Sequence, residues 1–250
     1  MFWPAARKSH LFVSPVTLLS MLPFPVVIFD FDGTLCATQE AILYTFKQAF
    51  EQKGLVPPAE DVIKKAIGTG GNLSEMLPLL HPPLQGPQNE QELQDWVLHY
   101  RHIYDTDGGR LTTLFHGAQE LLPYLQQLGI ACVVISNKGQ RAIEDALTRF
   151  GLRQYFELII GDNPQVPLRK KPHPMAYQQV IQPRYPHVSA EQVLMVGDTD
   201  ADLFFANNAG LSSCWAAYGY GAEETCRAAN PSYTIHSLEQ LYAIVAPDVP

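Results

Sequence analysis

Short, mostly apolar runs alternate with amphipathic segments through the second half of the chain. The runs are too short for helices and rich in β-branched residues, so they predict buried strands at 26–29, 131–135, 157–160, 193–196 and 212–216. Apolar positions three and four residues apart predict helices at 117–128, 139–150, 174–182 and 200–209. Strands that alternate with helices form right-handed βαβ units, so we predict an α/β fold with a doubly wound parallel sheet.

The pattern between the first two predicted strands is helical throughout. Helices are predicted at 39–53, 59–67, 72–80 and 89–104, and no strand pattern occurs until residue 130. We therefore expect residues 36–112 to form an all-helical insert, and residues 21–35 and 113–250 to form the α/β core.

The first 20 residues are expected to be a separate extension. Their apolar stretch is short, is interrupted by Pro15 and has no small-residue cleavage site after it, unlike a signal peptide. Met21 is the preferred working start. No apolar run reaches the length of about 18 residues that a membrane-spanning helix needs, so no membrane segment is predicted.

Composition narrows the class of partner. With 46% hydrophobic and 17% charged residues, the chain has the composition of a globular protein. Its net charge of −8 argues against nucleic acid as a binding partner. An anionic substrate would have to be attracted by a local cation. The four cysteines form no CxxC pair, so buried thiols in a reducing cytoplasm are expected.

The most informative segment is Asp30-Phe31-Asp32-Gly33-Thr34-Leu35, which closes the first predicted strand. Side chains alternate along a strand, so Asp30 and Asp32 point the same way at its carboxyl end, where ligands of open α/β sheets bind. Two close carboxylates need a cation or a shared proton. Gly33 permits a tight turn and Thr34 adds a hydroxyl. A solvated polar turn is the alternative.

Further polar groups follow other predicted strands. Ser136-Asn137 ends the second strand, where it would bind a phosphate oxygen at a helix N-terminus or act as a helix N-cap. Lys171 would neutralise carboxylates and phosphate, or be a solvated loop residue. Asp198 and Asp202 are spaced to face one cleft, or belong to a charge cluster at a helix start in which Asp200 is the N-cap.

A glycine-rich turn, 68–72, interrupts the helical insert. Its N–H groups, with Gly68 and Thr69 foremost, would meet the substrate's leaving group if the insert closes over the site. An ordinary interhelical loop is the alternative. The histidines have no metal-binding spacing, and Trp96, Trp215 and the 218–221 run are interpreted as packing and turn residues.

Together, in this order, the four motifs resemble those of the haloacid-dehalogenase-type phosphohydrolases over residues 26–245. The resemblance implies that Asp30 is the nucleophile, Asp32 the general acid/base and Lys171 a charge-stabilising group. It implies phosphate binding by Gly33, Thr34, Ser136, Asn137 and Lys171. It also implies a Mg²⁺ site formed by Asp30, Asp32, Asp198 and Asp202. Asp32 would use its backbone carbonyl there, and Asp202 would orient a metal-bound water or Lys171. The insert resembles the family's small helical cap. Residues 231–238 resemble the family's final strand and helix.

The resemblance thus implies a Mg²⁺-dependent phosphatase, a monomer or homodimer, that acts on a small phosphorylated metabolite through an aspartyl-phosphate. Its motifs are most similar to those of phosphoglycolate-phosphatase-type enzymes. A sugar phosphomutase of the same fold is an alternative, with Lys64-Lys65 as the insert's basic pair near the glycine loop. A noncatalytic binding protein would be expected to lack one of the reactive residues, and all are present. A dehalogenase would attack carbon and has no use for an acid at position 32.

Overall fold

The computed structural model describes residues 22–166 and 168–247, so the predicted extension at 1–20 lies outside the described residues. Its main sheet has six parallel strands in the order β5-β4-β1-β6-β7-β8. These strands are β1 (Val26–Phe29), β4 (Ala131–Gly139), β5 (Phe156–Asp162), β6 (Val193–Gly197), β7 (Ser212–Ala216) and β8 (Tyr233–Ile235). The predicted α/β fold with a doubly wound parallel sheet is confirmed.

Helices flank the sheet and fill the long connection after β1. They are α1 (Gln39–Gln52), α2 (Glu60–Ile67), α3 (Leu73–Leu80), α4 (Glu90–Thr106), α5 (Ala118–Gln127), α6 (Gln140–Arg149), α7 (Gln182–Arg184), α8 (Asp200–Ala209), α9 (Glu223–Ala228) and α10 (Leu241–Val245). A π-helical turn, Tyr177–Ile181, runs directly into α7 and occupies most of the helix predicted at 174–182. Short 3₁₀ turns lie at Pro82–Leu84, Pro87–Asn89, Gly108–Leu111, Arg153–Tyr155, Ala190–Gln192 and Leu238–Gln240.

Alternate residues of each central strand pack into different cores. Val27 and Phe29 of β1 join the cluster under α5 and α6, whereas Val26 and Ile28 join the cluster on the opposite face. All four side chains are fully buried. Burial on both faces explains why this strand is continuously apolar and not alternating.

The helices α1 to α4 have a hydrophobic cluster of their own, separate from the two clusters against the sheet. Phe46 and Phe50 of α1 pack against Tyr100 and Trp96 of α4, with ring centroids 4.6 and 4.9 Å apart. This cluster lets the helical insert bury its apolar faces within itself. The limits of core and insert at residues 35 and 112 stay a prediction.

Two short strands join the insert to the sheet. β2 (Cys36–Ala37) pairs antiparallel with β3 (Thr113–Leu114), so the expectation that no strand lies between β1 and residue 130 is wrong. A two-residue strand is too short to leave a periodic pattern in the sequence. The pair brings the start and the end of the insert side by side.

The described residues include no helix with the length and apolar character needed to span a bilayer. The four cysteines, which all lie in the described ranges, are buried and unpaired, as expected from the absence of a CxxC pair.

Two leucines of α3 provide a matched test of the insert's core. Leu77 is fully buried and Leu79 is 59% exposed. We predict that Leu77→Ala lowers the free energy of unfolding by about 2–5 kcal/mol because it leaves a cavity. Leu79→Ala should change it by less than about 0.5 kcal/mol. Urea unfolding followed by circular dichroism measures both, and equal losses would contradict the described orientation of α3.

Candidate active site

The predicted site residues meet at the carboxyl edge of three adjacent strands. Asp30 follows β1, Ser136 lies near the end of β4, and Asp198 follows β6. The loop after β5 brings Lys171 to the same edge. These residues line a cavity of about 550 Å³ whose other wall is formed by the helical insert.

Lys171 is the central cation of this cluster. Its side chain is 3% exposed, and its Nζ lies 2.8 Å from Asp30 Oδ1 and also contacts Asp202 Oδ1. Burial alone would lower the pKa of Lys171, but the charges of Asp202 and Asp30 outweigh burial and raise it. Lys171 is therefore a buried, protonated residue and not a solvated loop lysine.

Asn137 holds the Lys171 backbone in place. Its Oδ1 accepts from the Lys171 N–H at 2.9 Å, and its Nδ2 donates to the Lys171 carbonyl at 3.0 Å and to the Gly70 carbonyl at 2.9 Å. All the side-chain polar atoms of Asn137 are thus engaged, which leaves its backbone for the predicted phosphate contact. The same side chain links the insert to the sheet edge.

Ser136 is buried at the cavity wall, and its Oγ accepts from the Lys138 N–H at 3.4 Å. The expectation that Ser136-Asn137 lies at a helix N-terminus is wrong, because β4 continues to Gly139 and α6 begins at Gln140. A register shift against β5 beyond Ile135 accompanies this extension. The N-cap alternative fails for the same reason, since Gly139 occupies that position.

Asp198 is fully buried in a cradle of backbone. Thr34 Oγ1 donates to its Oδ1 at 3.2 Å and the Tyr220 N–H donates to its Oδ2 at 2.8 Å. Gly33 has a φ of +73°, and a Cβ there would lie 2.1 Å from Oδ2. A Cβ at Gly219 would lie 2.2 Å from the Asp198 Cβ. Gly33 and Thr34, predicted to contact phosphate, therefore also position this carboxylate.

Asp202 is held by the start of α8. Its Oδ2 accepts from the Thr199 N–H at 3.0 Å and from Thr199 Oγ1 at 2.9 Å, and its Oδ1 contacts Lys171. Thr199 is the N-cap of α8, so the prediction that Asp200 caps this helix is wrong. Thr199 and Asp202 form a capping box, which holds Asp202 in contact with Lys171.

The three buried carboxylates of Asp30, Asp198 and Asp202 carry more negative charge than the adjacent Lys171 can neutralise. Oxygen atoms of Asp30, Asp198 and Asp202 lie within 4.8 Å of one another. Burial raises the pKa of Asp30 to about 6, although Lys171 lowers it. Burial, with the charges of Asp202 and Asp30, raises the pKa of Asp198 well above its usual range. An oxygen-only donor set with surplus negative charge fits Mg²⁺.

Lys138 is a site residue that the sequence reasoning missed. Its side chain is 9% exposed, its Nζ lies 3.1 Å from Asp32 Oδ1, and it stacks over the Tyr104 ring at 4.1 Å from the centroid. A signal was present, because residues two apart on an extended segment share a face, and Lys138 is two residues after Ser136. Asp32 thus has a cationic partner from the neighbouring strand.

The glycine turn of the insert forms part of the cavity wall. The cavity wall includes Gly70, Gly71 and Asn72, but not Gly68 or Thr69. Thr69 Oγ1 donates to the Ala66 carbonyl at 2.8 Å. Gly68 and Thr69 thus lie outside the cavity wall, and a substrate contact by this turn stays a prediction.

Aromatic residues in β7 and in the loop after it also support the site, beyond the packing and turn roles interpreted for them. Trp215 Nε1 donates to the Asp198 carbonyl at 3.1 Å, and the Tyr218 hydroxyl donates to the Thr34 carbonyl at 2.8 Å. The Tyr220 hydroxyl accepts from the Thr38 N–H at 2.7 Å, immediately before α1. Trp96, in contrast, is buried in the insert's cluster.

Comparisons with known proteins agree with this geometry. A model of the haloacid dehalogenase-like hydrolase family matches residues 27–216. The phosphoglycolate phosphatase of Vibrio cholerae is 28% identical over 226 residues, which are 90% of this chain and 98% of that protein. That of Neisseria gonorrhoeae is 29% identical over 231 residues, 88% and 93% of the two chains.

Solved structures share the fold. A haloacid dehalogenase-like hydrolase of Bacteroides fragilis superposes with a TM-score of 0.77 at 27% identity and covers 87% of this chain and 99% of its own. A structure from Haemophilus somnus, described as a predicted phosphoglycolate phosphatase, has a TM-score of 0.77 at 24% identity and covers 90% and 99%.

The cradle of Asp198 gives a test of the site. We predict that Gly219→Ala displaces Asp198 and weakens Mg²⁺ binding by about 10–100-fold, measured as the Mg²⁺ dependence of the unfolding temperature. Gly151→Ala is the control, because position 151 has a φ of +69° and open space around it. It should cost about 1–2 kcal/mol of stability from backbone strain and keep the Mg²⁺ response. An unchanged response in Gly219→Ala would contradict the assignment.

Proposed function

The chain belongs to the haloacid dehalogenase-like hydrolase family, and we propose that it is a Mg²⁺-dependent phosphatase acting on a small phosphate monoester through an aspartyl-phosphate on Asp30. The match to the family model confirms the predicted family and the predicted hydrolase class. The observation that carries the proposal is the arrangement of Lys171 between Asp30 and Asp202, beside Asp198, at the floor of one cavity.

The proposed reaction uses two carboxylates in different roles. Asp30, as the carboxylate, attacks phosphorus, so that an Asp30–phosphorus bond forms and the bond to the leaving oxygen breaks. Asp32 gives its proton to the departing alkoxide. Water then attacks the phosphoryl group as Asp32 takes up a proton, which releases phosphate and restores Asp30.

The other residues stabilise the charge on the transferring group. Lys171 and the Ser136 hydroxyl lie where they can meet the phosphoryl oxygens. Mg²⁺, when bound by Asp30, Asp198 and the Asp32 backbone carbonyl, supplies the positive charge that phosphoryl transfer requires. Asp202 keeps Lys171 in position through their direct contact.

We propose that the helical insert acts as a cap over this site. The insert supplies one wall of the cavity, and Gly70 of its glycine turn is hydrogen-bonded to Asn137 at the sheet edge. Named phosphoglycolate phosphatases among the relatives support a small phosphorylated acid as the kind of substrate.

The basic pair Lys64-Lys65 does not support the phosphomutase alternative. Lys64 lies 3.4 Å from Glu60 in an exposed pair on α2, and neither Lys64 nor Lys65 belongs to the cavity wall. A mutase needs a second phosphate site in the insert, and this pair does not face the cavity. Hydrolysis is therefore the favoured reaction.

The nucleophile is tested with Asp30→Asn. We predict at least about a 1,000-fold loss of kcat on phosphate esters, because the amide is nearly isosteric but cannot attack phosphorus. Released phosphate, measured with saturating Mg²⁺, is the readout. Asp61→Asn, which removes an exposed carboxylate in the first turn of α2, is the control and should retain full activity. More than a tenth of wild-type activity in Asp30→Asn would refute the assignment.

The metal requirement is tested by removal and titration. Activity should vanish in excess chelator and return when Mg²⁺ is added, because the carboxylate cluster repels itself without a cation. Asp198→Ala should raise the Mg²⁺ concentration needed for half-maximal activity by about tenfold or more. Full turnover by the wild type in chelator would exclude a metal-dependent mechanism.

A further inference from the structure

Lys138 is a buried cation whose hydrogen-bonding capacity is not used up. Its side chain is only 9% exposed and lies on the cavity wall, where the Asp32 carboxylate is 3.1 Å from Nζ. A lysine ammonium has three N–H donors, and one carboxylate oxygen lies within salt-bridge distance of it. The Tyr104 ring packs against the ammonium, with its centroid 4.1 Å from Nζ.

The other cations of the described cavity wall have carboxylate partners of their own. Lys171 contacts Asp30 and Asp202. Arg101 Nη2 lies 2.5 Å from Asp162 Oδ2, and Arg141 pairs with Asp145 near solvent at 3.5 Å. Lys138 differs because its carboxylate partner is the proposed acid/base, a group that has to meet the leaving oxygen during the reaction.

The Lys138 side chain lies in the cavity wall with little exposure to solvent. An ammonium that is largely removed from water binds a second oxyanion more strongly than a surface lysine does.

The position of Lys138 limits where such an oxyanion can be. An anion that shares the ammonium with Asp32 lies within about 6 Å of the Asp32 carboxylate. In the proposed reaction Lys171 and Ser136 meet the phosphoryl oxygens and Asp32 meets the leaving oxygen. We therefore assign this anion to the leaving alcohol, a short carbon chain away from the ester oxygen. A carboxylate next to the ester carbon meets this condition, whereas the second phosphate of a sugar bisphosphate lies too far away.

We propose that Lys138 is a specificity-determining residue that binds the carboxylate of the leaving alcohol. This inference rests on the proposed phosphatase function and names a residue that selects the substrate in the same site. It assigns Tyr104 the part of holding the ammonium toward the cavity. It also gives the segment after Ser136 a role in substrate selection, separate from phosphate binding.

The test compares 2-phosphoglycolate with 2-hydroxyethyl phosphate, which has an uncharged hydroxymethyl group in place of the carboxylate. Wild-type enzyme should have a kcat/KM at least about 30-fold higher for phosphoglycolate, as expected for a charge-assisted hydrogen bond. Lys138→Met should reduce this ratio to less than about threefold, mainly through a higher KM for phosphoglycolate. Lys138→Arg, which keeps the charge, should retain most of the ratio, and Lys65→Met, an exposed lysine outside the cavity wall, should retain all of it.

Each other outcome is decisive. An equal loss on both esters in Lys138→Met, in enzyme that circular dichroism finds folded, would mean that Lys138 acts only through Asp32 and would overturn the proposal. A wild-type preference for 2-hydroxyethyl phosphate would overturn it while leaving the phosphatase function intact.

Binding to the Asp30→Asn variant with Mg²⁺ gives a readout that needs no turnover. Calorimetry should find phosphoglycolate bound more tightly than 2-hydroxyethyl phosphate, and Lys138→Met in that background should remove the difference. If the wild type hydrolysed neither ester, the proposed function would fail, and equal affinities in this experiment would separately overturn the role of Lys138.

Discussion

The site depends on the burial of several carboxylates around few cations. Asp30, Asp198 and Asp202 are all at least nine-tenths buried, and Lys171 is the one lysine of the described residues that touches two of them. Removing like charges from water is costly unless they are paired or neutralised. The folded chain meets this cost with hydrogen bonds from Thr34, Thr199 and the Tyr220 N–H. The remaining negative charge is what makes the site receptive to a divalent cation.

Much of the rest of the structure serves to hold these charged groups still. The loop after β7 places Tyr218 and Tyr220 between the Asp198 segment, the Thr34 turn and the start of α1. Asn137 links the Lys171 loop to the glycine turn of the insert. Because these hydrogen bonds connect segments that are far apart in sequence, the carboxylates cannot relax away from one another without disturbing several elements at once.

The sequence predicted those features that depend on residue type and local pattern. The strand before Asp30, the parallel sheet and the polar groups at its edge follow from apolar runs and from the alternation of side chains. Lys138 and the full set of Asn137 contacts could not be derived in the same way, because a hydrogen-bond partner is set by the tertiary fold. The extension of β4 to Gly139 was missed because its last residues are polar, and Thr199 replaced Asp200 as the N-cap because its side chain closes a box with Asp202.

The short pair of β2 and β3 has a consequence for how such a chain can vary. Residues 38–112 leave and re-enter the sheet domain through two strands that are hydrogen-bonded to each other, so the ends of this stretch are fixed side by side whatever lies between them. Closing a longer or shorter loop across a fixed gap changes its entropy only slowly with length. A segment of different size or topology can therefore replace residues 38–112 at this junction. The outer wall of the cavity can then change as a module while the sheet edge keeps its charged residues.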